Sequence, residues 1–170
     1  MKGIVLQGNG KTTVATVPDP TILAPGDAIV GVTKAGICGS DLHILNHGEA
    51  FGFEHGCRVG HEFVSVVEEV GADVRGVTVG DKVCAPFWIS YGQCHFCRKG
   101  RTSCIKGGSF GFPGFWPDVG AAQGGQSQYV RVPIADGTLD TVPASLADDA
   151  HDHRGRGATG SRAVDHGLPG

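Results

Sequence analysis

Cys38 and His61 are the first residues whose types and spacing could do chemistry. Cys38 precedes Gly39 and His61 follows Gly60, and glycine lets the backbone turn sharply and present a neighbouring side chain. Thiolate and imidazole are ligands that zinc prefers, and a catalytic zinc takes three protein ligands and keeps a fourth position open. The pair therefore predicts a zinc site that one further carboxylate or thiolate would complete.

Glu62 directly follows His61 and is a candidate for that site. Its carboxylate could orient the imidazole from outside the ligand set or bind the metal transiently. Taken singly, however, a cysteine is more often a small core residue, and an isolated His–Glu pair is usually an ordinary surface feature. The surrounding sequence has to decide between these interpretations.

A second cluster, Cys94, Cys97 and Cys104, also has metal-ligand spacing. A structural zinc normally has four protein ligands, so a site of three thiolates should bind more weakly or recruit His95 or water. The alternative is a loop of free thiols without metal. Cys84 and Cys57 lack a partner at ligand spacing, and we expect Cys84 to be a core residue.

The elements that must position these residues are short strands. Residues 2–6 and 12–17 flank Asn9-Gly10, a pair typical of a type I′ hairpin turn. Ser40 or Asp41 could cap a short helix. Phe51, Phe53 and Trp88 could line a substrate cleft or simply pack. Further strands are predicted at residues 28–33, 62–70, 82–86, 128–132 and 138–142. This pattern predicts a β-barrel or partial barrel with few helices.

Composition narrows the class of protein. The chain has 170 residues, of which 40% are hydrophobic and 18% charged, as expected for one globular domain. A net charge of −3 argues against nucleic acid as a partner, because phosphate neutralisation needs a basic surface. We expect a cytoplasmic protein without a membrane span, because the sequence shows no secretory signal and no apolar run of roughly 18 residues. In a reducing compartment, the six cysteines are better explained as ligands or core residues than as disulfides.

Residues 145–170 differ from the rest of the chain. They contain few large aliphatic residues and no aromatic residue, so we expect a poorly ordered tail that buries little. The run from Gly155 to Gly160 matches the letters of G-x-G-x-x-G. No apolar strand precedes it, and we interpret the match as accidental.

Three ordered motifs carry a family resemblance. G-I-C-G-S-D-L-H at 36–43, G-H-E-F at 60–63 and G-D-K-V at 80–83 resemble the zinc-dependent alcohol dehydrogenases of the medium-chain dehydrogenase/reductase superfamily, over residues 1–142. The resemblance implies a GroES-like catalytic domain at residues 1–144, with Cys38 and His61 on catalytic zinc. It also implies that Ser40 and His43 relay the proton of an alcohol to solvent, while NAD or NADP accepts a hydride. The substrate would be a small-molecule alcohol or aldehyde.

The sequence departs from that family at several points. Ser65 replaces a usual glycine, and Tyr91 replaces the first of four cysteines in the family's structural-zinc lobe, which would span about residues 88–107. Family members supply a third catalytic ligand downstream, where Asp152 lies, with Asp148 and Asp149 nearby.

The resemblance also implies a Rossmann cofactor domain that this sequence does not contain. We expect the tail to come from a frameshift or truncation of a longer gene, and the chain to be inactive alone. A homo-oligomer is expected only if the other half is supplied. The competing interpretations are a non-catalytic zinc-binding GroES-like scaffold and a zinc ribbon that binds nucleic acid, which the acidic balance disfavours.

Overall fold

The chain folds mainly into short antiparallel strands. This computed structural model describes residues 1–8, 10–53, 55–101, 104–112 and 122–143. The predictions for Asn9, Asp148, Asp149, Asp152 and the tail after residue 144 therefore lie outside the described residues, and the side chain of Phe51 is not described either.

The described elements follow one another in this order. Strands β1 (Lys2–Gly8), β2 (Lys11–Thr16) and β3 (Ala28–Ala35) precede helix α1 (Gly39–His47) and a 3₁₀ turn (Gly48–Phe51). Then come β4 (Phe63–Val70), β5 (Lys82–Ala85), β6 (Trp88–Ile89), α2 (His95–Arg98), β7 (Gly108–Ser109), β8 (Tyr129–Val132), α3 (Ala135–Thr138) and β9 (Asp140–Thr141). The expected mainly β class with short helices is confirmed.

Five strands form the central sheet, in the order β8-β3-β4-β5-β9, and every neighbouring pair is antiparallel. The strands β6 and β7 pair separately. β1 and β2 pair as the predicted hairpin, with Gly8 opposite Lys11. Among the described residues the sheet does not close into a full barrel, which fits the predicted partial barrel.

Two apolar cores hold the elements together. The larger lies on the central sheet, where Phe63 and Phe110 meet with ring centroids 5.0 Å apart. The smaller joins Leu6 of β1, Ile44 of α1, Phe53 and Val59. Phe53 is therefore a packing residue. The smaller core fixes α1 against β1 and so fixes the helix end that carries Cys38.

Two local predictions were wrong in detail. The strand expected at residues 138–142 begins only at Asp140, because Thr138 ends α3 and its hydroxyl donates to the Pro133 carbonyl at 3.1 Å. Helix α1 is capped by Cys38, and neither Ser40 nor Asp41 is its cap. A thiol rarely serves this purpose, so residue type alone pointed to the neighbouring hydroxyl and carboxylate.

Candidate metal centre

The N-terminus of α1 presents Cys38. Its Sγ accepts a hydrogen bond from the Ser40 N–H at 3.3 Å, while the Asp41 carboxylate accepts one from the Cys38 N–H at 2.9 Å. This reciprocal pair is a capping box. It holds the thiol at the helix end, where unpaired N–H groups favour negative charge. Gly39 has no positive φ, so the sharp turn expected beside Cys38 is absent.

A glycine turn does place His61. Gly60 has a φ of +94°, and an added Cβ there would lie 2.8 Å from the Gln126 backbone nitrogen. The Gly60 carbonyl also accepts from the Gly125 N–H at 2.9 Å, which fixes this turn just before β4. The His61 side chain is 6% exposed, so its ring is held inside the fold and aimed at Cys38.

The side chains of Cys38, Ser40 and His61 meet at one point. Cys38 Sγ lies 3.0 Å from His61 Nε2 and 2.7 Å from Ser40 Oγ. Ser40 Oγ is 3.1 Å from the same Nε2. Cys38, His61 and Glu62 each place one donor atom within 4.8 Å of the other two. The structure thus brings together three of the predicted ligands and one of the two predicted relay residues.

Asp41 is the residue of this site that the sequence reasoning missed. Its Oδ1 lies 3.3 Å from His61 Nδ1, and both side chains are at least nine-tenths buried. The contact fixes which ring nitrogen faces Cys38, because a carboxylate at Nδ1 leaves Nε2 for the ligand position. The signal was available: Asp41 stands three residues after Cys38, the spacing of a capping box.

Neighbouring groups shift the pKa values of His61 and Cys38 in opposite directions. The Asp41 carboxylate raises the pKa of His61 to about 9, against the opposite effect of burial. Burial raises the pKa of the Cys38 thiol, but hydrogen bonds from Ser40, Asp41 and His61 outweigh it and lower that pKa overall. Metal binding at Nε2 therefore requires loss of its proton.

The donor set fits zinc. Typical Zn–S and Zn–N bonds are about 2.3 Å and 2.1 Å, so two ligands on one ion lie within about 4.4 Å of each other. The separation of 3.0 Å between Cys38 Sγ and His61 Nε2 is inside that limit. A thiolate, an imidazole and a carboxylate are also the donor types found in catalytic zinc sites. His61 Nδ1 and Asp41 Oδ1 are both buried, and neither makes an aligned hydrogen bond with a described residue. They face each other on the side of the imidazole ring away from Cys38.

His43 lies farther along α1. It is exposed, and its ring centroid is 5.0 Å from that of His47. Ser40 and His43 are three residues apart on the helix and so share a face. The role of His43 as a relay stays a prediction.

The cysteine cluster also assembles. Cys94, Cys97 and Cys104 place their sulfur atoms within 4.8 Å of one another, with Cys94 Sγ 3.4 Å from Cys97 Sγ. The Tyr91 N–H donates to Cys104 Sγ at 3.2 Å, so residue 91, the position of the first of the four cysteines that the resemblance implies, lies beside the cluster. The Tyr91 ring packs under the Lys106 ammonium, 4.8 Å from the ring centroid.

Backbone donors polarise this cluster. Hydrogen bonds from the backbone N–H groups of Cys97 and Ile105 lower the pKa of the Cys94 thiol to about 6. Burial and the neighbouring sulfur of Cys94 raise the pKa of Cys97. The Cys94 thiol therefore loses its proton more readily than that of Cys97. All six cysteines are free thiols, and Cys84 lies half-buried in β5 rather than in the core.

Comparisons with known proteins agree with this geometry. The family described as the alcohol dehydrogenase GroES-like domain matches residues 24–143. The chain is 39% identical over 156 residues to the uncharacterised zinc-type alcohol dehydrogenase-like protein AdhB of Bacillus subtilis, covering 87% of this chain and 40% of that protein. It is 34% identical over 155 residues to a glutathione-independent formaldehyde dehydrogenase of Pseudomonas aeruginosa, covering 84% of this chain and 37% of that protein.

Solved structures give the same picture. The alcohol dehydrogenase TADH from Thermus sp. ATN1 superposes with a TM-score of 0.74 at 38% identity, over 84% of this chain and 40% of that one. A zinc-dependent alcohol dehydrogenase 2 from Streptococcus pneumonia gives 0.70 at 36% identity, over 88% and 41%. The chain thus spans about 40% of the length of these proteins. No described helix is long and apolar enough to cross a membrane.

Proposed function

The chain belongs to the alcohol dehydrogenase GroES-like domain family, and from this premise we propose that it is the zinc-binding catalytic domain of an alcohol dehydrogenase that interconverts alcohols and aldehydes with NAD or NADP. The observation that carries the proposal is the convergence of Cys38, His61 and Glu62 donor atoms within 4.8 Å. These three residues would hold the ion. The domain bounds 1–144 and a lobe at about residues 88–107 are part of the same proposal.

The chain's own residues divide the remaining work. A zinc ion bound by these ligands would supply Lewis-acid polarisation of the oxygen of an alcohol or aldehyde. Asp41 holds His61 in the tautomer whose Nε2 faces the ligand position. Ser40 Oγ, 2.7 Å from Cys38 Sγ, would accept the proton of a substrate hydroxyl in a hydrogen bond. His43, exposed on the same helix face, would pass that proton to water.

The hydride acceptor lies outside the proposed domain. The relatives named as dehydrogenases are more than twice the length of the matched region. We propose that this chain alone binds zinc but does not reduce NAD or NADP, and that any homo-oligomer forms through a portion supplied with the cofactor domain. We also propose that it is cytoplasmic, since free cysteines are compatible with a reducing compartment.

The test separates zinc binding from turnover. Zinc content of the purified chain is measured by mass spectrometry beside a Cys38→Ala variant, and NAD(P)H formation is followed with several alcohols. We expect Cys38→Ala to lose one zinc relative to the unmodified chain. An equal zinc content in both proteins would sink the catalytic-site assignment, and NAD(P)H formation by the chain alone would sink the claim of inactivity.

A second candidate function is a non-catalytic zinc-binding GroES-like scaffold. The same convergence of Cys38, His61 and Glu62 donor atoms would also hold a zinc ion that takes part in no reaction. The two functions differ when a cofactor-binding portion of a relative is added. Restored turnover supports the catalytic domain, and unchanged inactivity with full zinc loading supports the scaffold.

A further inference from the structure

A polar cavity of about 180 Å³ lies on the surface of the domain and includes none of the proposed zinc ligands. Its polar lining consists of Asp19, Thr21, Arg58, Gln123 and Arg131, and we call it the Arg58 pocket. The volume is below the roughly 300–1,000 Å³ of sites for drug-sized ligands but well above that of one water molecule. The pocket is therefore suited to a small molecule or ion.

Arg58 makes no ion pair among the described residues. Its Nη1 is buried and has no hydrogen-bond partner there. The residue as a whole is partly buried, and burial lowers the pKa of its guanidinium. A partly buried cation without an ion pair is costly, so a bound anion would relieve the cost.

The other charged groups around the pocket are already paired. Arg131 Nη1 donates to the buried Asp27 carboxylate at 2.9 Å, and Asp19 Oδ1 accepts from the Met1 ammonium at 2.6 Å. Each pair is neutral within itself. Among the described residues, the net charge left in the pocket is therefore that of Arg58.

Neutral donors complete the lining. Gln123 Oε1 accepts from the Arg58 backbone N–H at 3.2 Å, which anchors the amide group. The two N–H donors of the same amide are chemically suited to bind an anion. Thr21 adds a hydroxyl. Guanidinium, amide and hydroxyl donors around a small cavity match the acceptor oxygens of a carboxylate or phosphate.

We propose that the Arg58 pocket binds a small oxyanion, a phosphate or carboxylate group, through the Arg58 guanidinium. The ligand's oxygens accept from the Arg58 guanidinium, which lines the pocket, and from the neighbouring donors. This site is separate from the zinc centre, and the proposal does not depend on the catalytic function.

The experiment titrates the chain with inorganic phosphate and, separately, with acetate by calorimetry at constant ionic strength in sodium chloride. Arg58→Gln removes the charge in the pocket, and Arg101→Gln removes one from an exposed position as the matched control. We expect saturable binding of one of the two anions to the unmodified chain and to Arg101→Gln. We expect binding at least about tenfold weaker in Arg58→Gln.

The outcomes distinguish a phosphoryl ligand from a carboxylate ligand. Tighter binding of phosphate identifies a phosphoryl group as the ligand chemistry, and tighter binding of acetate identifies a carboxylate. If Arg58→Gln does not fold, the Arg58 Nε–Hε resonance of the unmodified chain, assigned with Arg58→Lys, must shift on addition of the anion. Absence of binding by both anions, equal binding to the two glutamine variants, or an unmoved Arg58 resonance would overturn the proposal.

Discussion

Single residues at the proposed zinc centre have distinct physical tasks. Cys38 and His61 offer the donor atoms, whereas Asp41 acts through His61 by holding its Nδ1 side at 3.3 Å. Asp41 also accepts from the Cys38 N–H, so it links the two proposed ligands through one carboxylate. It is a positioning residue, and its removal should alter metal binding without removing a ligand.

Asp41→Asn tests this task. Asparagine keeps an oxygen for the helix cap but loses the charge facing His61, so zinc affinity should fall about 10–100-fold. Competition with a chromophoric chelator measures the affinity. Asp73→Asn, at an exposed position, is the control and should bind zinc as the unmodified chain does. Unchanged affinity in Asp41→Asn would show that the carboxylate does not tune the site.

Ser65 allows a second test at this scale. It lies in β4 between Val32 and Val83, is fully buried, and its Oγ has no hydrogen-bond partner among the described residues. A buried unpaired hydroxyl costs about 1–3 kcal/mol. Ser65→Ala should therefore raise the free energy of unfolding by about 1 kcal/mol, measured by urea denaturation.

Ser109→Ala is the matched control for Ser65→Ala. Ser109 is also buried, but its Oγ donates to the Phe110 carbonyl at 3.2 Å. Its removal should lower the free energy of unfolding by about 1 kcal/mol. If Ser65→Ala and Ser109→Ala shifted the urea midpoint in the same direction, the unpaired hydroxyl of Ser65 could not explain the change in stability of Ser65→Ala.

At the scale of elements, one short helix organises the proposed zinc centre. Helix α1 spans Gly39–His47, and its first turn contributes the cap, Ser40 and Asp41, while His43 lies on the face of Ser40. Ile44 packs the helix onto β1 through the smaller core. The rigid attachment of one helix therefore positions nearly all of the site except the His61 turn.

The cysteines between β6 and β7 form the second candidate metal site. Three thiols converge there, and the Tyr91 N–H donates to Cys104 Sγ. Tyr91→Cys should complete a tetrahedral thiolate set and raise zinc affinity at this loop at least about tenfold. The measurement is chelator competition in a Cys38→Ala background, which isolates the loop.

Tyr91→Ser is the control for that variant. Like Tyr91→Cys, it removes the ring that packs against Lys106, but it supplies no thiol. A gain in affinity in the serine variant would mean that the tyrosine ring obstructs the loop. Equal affinity in the cysteine variant and in the parent would mean that residue 91 cannot reach a metal held by the three cysteines.

At the scale of the whole molecule, a buried ion pair joins two segments that are far apart in the sequence. The Asp27 carboxylate, almost fully buried, accepts from Arg131 of β8 at 2.9 Å and from the N–H groups of Leu23 and Ala24. The contact joins residues 104 positions apart. It holds the loop before β3 against the edge strand β8.

Asp27→Asn should therefore destabilise the whole domain. Removing one partner of a buried pair leaves the other charge uncompensated and costs about 3–5 kcal/mol. Asp19→Asn is the control, because Asp19 is 75% exposed and its ion pair with Met1 is worth at most about 1 kcal/mol. Thermal unfolding of both variants gives the comparison, and similar melting temperatures for the two would contradict a structural role for the buried pair.

Much of this was open to prediction from local pattern. The β-branched runs that became β1 to β5 and β8 carry their own strand signal, and the ordered motifs around Cys38 and His61 identified the family correctly. The two-residue strands β6 and β7 were not predicted, because pairs such as Trp88–Ile89 and Gly108–Ser109 become strands only by pairing with each other. The short α3 was missed for the same reason, since Thr138 is tied to Pro133 and Ser90 through its hydroxyl.

The sequence by itself determined the β class, the family and the residues that could bind metal. Ligand type, spacing and strand propensity depend on residues that are close together in the chain. Only the tertiary structure decided which of these side chains meet. The hydrogen bond from the Cys38 N–H to Asp41 joins residues that are close in the sequence. The contact of Cys38 with His61 instead depends on the turn at Gly60, which packs against Gln126. Likewise, only the structure shows that Arg131 pairs with Asp27, whereas Arg58 makes no ion pair among the described residues. Long-range packing decides both, since burial and charge balance depend on neighbours that are distant in the chain.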